Sequence, residues 1–231
     1  MIRPAVSAVL LVAVSIVTAA QEPRTTAIPA AFEGVFESVL DEARVAGGLR
    51  NRGTPEDLAL RADAVAQQKS LAGQEDPEWR CEPVGPFRMM ARERVRVELV
   101  PVPASHAIVL LFEDVARGHF RTISLKSTSE AGEERTWHGY SVGRWEGSTL
   151  VVTTTGFNDR TWLNGKGARH SDALRLTERI RPLEGGRLLE WTVTAADPKV
   201  LAAPYSYVRY FQRVSDEIRE SICEPSRPTS R

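Results

Sequence analysis

Two runs of β-branched and aromatic residues, 140–145 and 149–155, stand on either side of Gly147-Ser148. A tight-turn dipeptide between two such runs specifies an antiparallel hairpin, and no other local signal in the chain is as restrictive. With the turn centred on Gly147-Ser148, Trp145 faces Leu150, Gly143 faces Val152 and Ser141 faces Thr154. A second hairpin is predicted around Glu184-Gly185. Its register sets Ile180 opposite Leu189, Glu178 opposite Trp191 and Leu176 opposite Val193 on an apolar face. The other face pairs Arg179 with Glu190, Thr177 with Thr192 and Arg175 with Thr194, and the first of these has the signs of a cross-strand ion pair. The stretch 137–198 holds both hairpins, four of the five tryptophans and two of the four histidines.

Further strand patterns lie on both sides. Val95, Val97 and Leu99 alternate with polar residues, 107–112 is a continuous apolar run expected to be covered on both faces, and 119–125 alternates again. In that last run Arg121, Ile123 and Leu125 share one side. Residues 205–214, rich in tyrosine and valine, add another strand. Upstream, Phe32, Val35, Phe36, Val39, Leu40 and Ala43 recur at helical spacing, ending at Gly47-Gly48. Thr54-Pro55-Glu56-Asp57 has the form of a helix start for 58–71. Three prolines and a glycine make 76–86 an irregular strap. The expectation is a mainly β fold, an antiparallel barrel of about eight strands spanning 76–224, with two helices from 21–75 packed outside and a polar tail from 225.

The first 20 residues read as a secretory signal: a basic start at Arg3, an apolar run over 5–17 and small residues before Gln21. Cleavage after Ala20 would remove Arg3 and leave 29 basic against 30 acidic residues. So balanced a chain gives no electrostatic reason to expect nucleic acid as a partner, and it has no second apolar run long enough to cross a membrane. Periplasmic or secreted location is the expectation. Cys81 and Cys223, the two cysteines, form either a disulfide, as an oxidising compartment favours, or two buried thiols.

The chemistry-bearing residues concentrate between and within the hairpins. Residues 156–172 form a loop with three glycines and a run of Asn, Asp, Trp, Arg and His. His170 is a candidate proton carrier, since histidine titrates near neutrality; the other reading is a loop histidine bonded to backbone. Glu178 is a carboxylate on an apolar face and must find a partner, reach water or take up a proton. The candidate catalytic set is His170, Asp159 and Glu178. Candidate ligand contacts are Trp137, Tyr140, Trp145, Asn158, Trp162, Arg179 and Trp191. Gly139 and Gly143 either admit a ligand or relieve crowding beneath Trp137 and Trp145.

Several motifs fail on context. Gly139-Tyr140-Ser141-Val142-Gly143 matches the nucleophile elbow of hydrolases, but that elbow joins a strand to a helix and here a hairpin follows. His106, His119, His138 and His170 stand singly, so no metal site is predicted. No phosphate loop, dinucleotide fingerprint or haem-attachment motif points to a cofactor.

The spaced residues Gly139, Ser141, Gly143, Trp145-Glu146-Gly147, Thr149-Leu150-Val151-Val152, Gly156-Phe157, His170-Ser171, Glu178-Arg179 and Asp197-Pro198 form one pattern, which Arg80-Cys81, Pro83 and Gly85 extend upstream. It resembles that of a family of exported bacterial proteins over roughly 79–223. The resemblance implies a lipocalin-like antiparallel barrel and carries no catalytic assignment. After Asp197-Pro198 the family pattern continues with tyrosine, proline and tryptophan, whereas here the chain runs Lys199-Val200-Leu201-Ala202-Ala203-Pro204-Tyr205. Three functional readings follow for such a barrel: binding of a small hydrophobic or aromatic molecule in its cavity, cofactor-independent lyase, isomerase or hydrolase chemistry there, or a structural role with the barrel filled by its own side chains.

Overall fold

The computed structural model describes residues 28–40, 48–113, 120–126, 134–220 and 222–224. Its strands are β1 Gly34–Ser38, β2 Arg96–Val102, β3 Ala107–Glu113, β4 Phe120–Ser124, β5 Tyr140–Glu146, β6 Thr149–Thr155, β7 Arg175–Leu183, β8 Leu188–Ala196 and β9 Tyr205–Val214. They hydrogen-bond in chain order and β9 returns to β1, so nine strands, rather than eight, close a barrel. Closure pairs the strand edges that an open sheet would leave exposed. Every neighbouring pair is antiparallel except β4–β5. Those two strands run parallel and meet at only two positions, Ile123 with Ser141 and Ser124 with Val142. The predicted signal segment, the lead-in as far as residue 27, Gly47, His119, the loop at 127–133 and the tail from 225 lie outside the described residues.

The first hairpin has the register its turn dictates: Trp145 faces Leu150, Gly143 faces Val152 and Ser141 faces Thr154. The second is shifted by two residues from expectation. Leu183 pairs with Leu188, so the turn holds four residues, and Glu184, Gly185 and Gly186 all take positive φ. An even shift keeps every side chain on its expected face and changes only its partner. Ile180 now faces Trp191, and Glu178 faces Val193. The expected Arg179–Glu190 pair is replaced by Arg181–Glu190 at 2.9 Å, while Arg179 reaches Glu146 at 2.8 Å.

The helix expected over 32–43 is corrected over its described part, 32–40, to a 3-10 turn, Ala30–Phe32, followed by β1, while 41–43 lie outside the described residues. The unpaired edges of β2 and β9 decide the matter. Pairing with both gives the segment backbone partners that a helix lying outside would leave to water, and it buries Phe36 in the barrel. The second expected helix is shorter than its signal. Thr54 caps a 3-10 turn, Pro55–Asp57, and Leu60 then stays extended to bridge Leu201, so helix α1 spans only Ala62–Ser70. It buries Ala64 alone and lies outside the barrel.

The strap at 76–86 is fastened by a disulfide between Cys81 and Cys223. It leads into a one-turn helix, α2 Pro86–Met89, whose Phe87 and Met89, with Met90 just beyond, are fully buried and join the barrel core. The Tyr207 hydroxyl donates to the Phe87 carbonyl and ties α2 to β9. Strand β3 is covered less than expected, since Val109 and Leu111 on its outer face are only half-buried. The inward side chains, among them Phe36, Leu99, Ile108, Leu150, Trp191 and Phe211, are 0–2 % exposed. The described lumen is thus filled by the protein's own side chains.

Candidate functional site

Alternation along β4 and β7 sends one charged side chain from each into that apolar lumen. Arg121 arrives with Ile123, and Glu178 arrives between Leu176 and Ile180. The two meet face to face: Arg121 Nη1 donates to Glu178 Oε1 at 3.1 Å and Nη2 to Oε2 at 2.6 Å. Nη2 also donates to Ser141 Oγ and Thr154 Oγ1, cross-strand neighbours that bond each other at 2.9 Å. Trp191 Nε1 donates to Glu178 Oε1 at 3.1 Å. Both charged side chains are 1 % exposed and so are shielded from bulk water. A buried ion pair persists only when its geometry and remaining hydrogen bonds offset desolvation, and this one is bidentate with three neutral side chains attached. Nearby, burial raises the Tyr207 phenol well above its ordinary range, and the negative charge of Glu178 raises it further.

His170 and Asp159 lie elsewhere, in the loop between β6 and β7. That loop is a packed cap, with Phe157, Trp162, Leu163 and Ala168 buried. Asn164 Oδ1 accepts from the backbone of Lys166 and Ala168, and Glu56 accepts from Gly165. His170 Nδ1 donates to the Ser171 carbonyl at 3.0 Å, and Nε2 takes the hydroxyl of Thr161 at 2.8 Å. This is the neutral ring of a backbone-bonded histidine. Burial pushes its pKa below the usual 6.5, opposed by the Ser171 carbonyl and by the charges of Asp197 and Asp159. Asp197 itself receives Ser171 N, Ser171 Oγ and Lys199 N and organises the turn before β9. Asp159 is exposed. No contact joins His170 to Glu178 among the described residues.

A pH dependence follows. Unfolded His170 takes a proton as pH falls through about 6.5 while the folded ring still resists it, so the unfolded state binds more protons. The contribution is intact above that pH and is lost as pH drops towards the folded pKa. His170→Gln is expected to flatten the acid-side fall in stability, measured by urea unfolding across a pH series; an unchanged profile would refute the assignment.

The expected ligand contacts disperse. Trp191 is in the lumen network, and Trp145 packs edge-on to Phe32 at 5.0 Å. The guanidinium of Arg160 lies 5.5 Å from the ring of Trp137. Asn158 Oδ1 accepts from Arg160 N in a local turn, and Arg179 is on the outer surface. Trp162 is buried with its Nε1 lacking a hydrogen-bond partner among the described residues. An added Cβ would lie 2.6 Å from the Thr155 carbonyl at Gly139 and 2.8 Å from Ile123 at Gly143, so both sites are crowded, though not by Trp137 or Trp145, and Gly139 also lines the open recess beside Tyr140.

Tyr140 is the one expected contact in an open recess. Beside the short β4–β5 contact lies a cleft of about 480 Å³. Phe120, 63 % exposed, and Tyr140 give it aromatic surface. Thr122, Ser124 and Thr136 add hydroxyls, with Lys126 and His138 alongside. Arg121 and Ser141 also belong to its wall, so the cleft and the lumen network share two residues. Arg121 Nε is buried without a hydrogen-bond partner among the described residues. Arg121 was not singled out from the sequence, although a cation on the same strand face as Ile123 and Leu125 is the counterpart of the carboxylate on the apolar face of β7.

Among the described residues no group of three or more His, Cys, Asp or Glu is placed to hold a metal ion, and no helix is long and apolar enough to cross a membrane. No protein-family model matches the chain, and no curated protein matches it. Solved structures that match include fatty-acid-binding protein 1 of Echinococcus granulosus, 10 % identical over 80 % of this chain and 98 % of that one, with a TM-score of 0.41.

Proposed function

We propose that this is an exported β-barrel protein that binds a small hydrophobic or aromatic molecule, held in the cleft beside the β4–β5 contact rather than in the lumen. The observation that carries the reading is Phe120, a large apolar side chain 63 % exposed inside a concave recess next to Tyr140. Among the described residues the lumen offers no equivalent, because its apolar side chains are packed and its charged pair is bonded to its neighbours. A cleft of this size is within the range that takes a small organic ligand. Export is supported by the disulfide, which persists in oxidising compartments, and by the signal pattern over residues 1–20.

The test uses a neutral naphthyl fluorophore titrated into the disulfide-intact protein. Phe120→Ala is expected to weaken its binding by about 1.5–3 kcal/mol, the contribution of covering one phenylalanine side chain. Because Phe120 is already largely exposed, the substitution should leave the unfolding midpoint nearly unchanged. Equal affinity for the parent protein, Phe120→Ala and Tyr140→Ala would refute the cleft as the binding site.

A further inference from the structure

We infer that the cleft selects molecules that carry an anionic group, a carboxylate or its equivalent, on their apolar body. This rests on the binding reading above. Among the described residues the lining contains two cationic side chains, Arg121 and Lys126, and no aspartate or glutamate. The two cations have different parts to play. Glu178 already neutralises Arg121 in the lumen, so Arg121 adds little net charge to the cleft. What it retains is a directed donor: Nε–H is buried and has no acceptor among the described residues. A charged donor left without an acceptor is a standing cost that an incoming carboxylate oxygen would remove. Lys126 supplies a second positive charge. Its side chain is exposed and makes no ion pair among the described residues. The hydroxyls of Thr122 and Ser124 are further donors in the lining, while that of Thr136 already donates to the Gly139 carbonyl. An aromatic lip beside a cationic, hydroxyl-lined wall fits an amphipathic anion better than a neutral hydrocarbon.

The experiment compares naphthalene-1-acetate with naphthalene-1-acetamide, molecules of nearly the same shape that differ in charge. Binding is measured by calorimetry on the disulfide-intact protein at neutral pH. The acetate is expected to bind about tenfold more tightly than the amide, a gap of about 1.4 kcal/mol. Raising the salt concentration should narrow that gap, as should Lys126→Met, without weakening the amide. If acid and amide bind equally, the anionic preference is refuted while the cleft reading stands; if Lys126→Met leaves the gap intact, the assignment of that preference to Lys126 is refuted. If neither probe binds, the cleft reading falls and the preference falls with it.

Discussion

Arg121→Met is expected to lower stability by about 3–5 kcal/mol, a large share of the 5–15 kcal/mol typical of a folded domain. The loss comes less from the missing attraction than from what remains. Glu178 would keep one bond, from Trp191 Nε1, and stay buried as an uncompensated charge at 1 % exposure. Glu178→Met strands Arg121 instead and is also expected to be costly. The double variant Arg121→Met/Glu178→Met removes both charges and should recover most of either loss, because two apolar side chains of similar size need no counter-ion. Guanidinium unfolding of the four proteins measures the cycle. Additive losses would show that the pair is not a coupled unit.

Arg121 has a second duty that makes this position sensitive. β4 and β5 share only two register positions, so few backbone bonds hold that part of the wall. The guanidinium of Arg121 reaches Ser141 on β5, Thr154 on β6 and Glu178 on β7, bracing three successive strands from β4. Arg121 also belongs to the cleft wall, so a weakened brace should also alter binding there.

What could be read from the sequence follows from how local each interaction is. The first hairpin was legible to the residue because two turn residues leave one register available. The second slipped because Glu184 adopts a positive φ, which a non-glycine residue rarely takes, and lengthens the turn. The slip was even, so the assignment of Glu178 to the apolar face survived it. β1 was misread because Phe32, Val35, Phe36 and Val39 satisfy helical spacing, and the open edges of β2 and β9 lie far away in the chain. The partner of Glu178 was out of reach for the same reason. It sits 57 residues upstream, across a barrel whose closure no short window reveals. The cleft is harder still, being the place where two strands fail to pair, and propensity does not encode that.

Cys81→Ser/Cys223→Ser is expected to cost about 2–4 kcal/mol, the second-largest effect foreseen. The bond joins residues 142 apart and encloses β2 to β9, nearly the whole barrel. A purely entropic account of so long a loop gives about 5 kcal/mol, which is an upper figure because denatured chains retain some compactness. Native packing around the bond contributes little to this. Trp79 and Ile222, its near neighbours in sequence, are 60 % and 81 % exposed, so releasing the tail uncovers little new apolar surface. The effect should therefore act on the unfolded state. The serine variant and the reduced parent should unfold at the same urea concentration, both with a steeper dependence on urea than the oxidised protein, because an uncrosslinked chain exposes more surface. The folded barrel should persist in both, since the strand pairing is complete without the bond. An unchanged midpoint on reduction would mean that the bond does not restrict the unfolded chain. Loss of the barrel signal in circular dichroism before any denaturant is added would instead assign the bond a role in holding the native wall together.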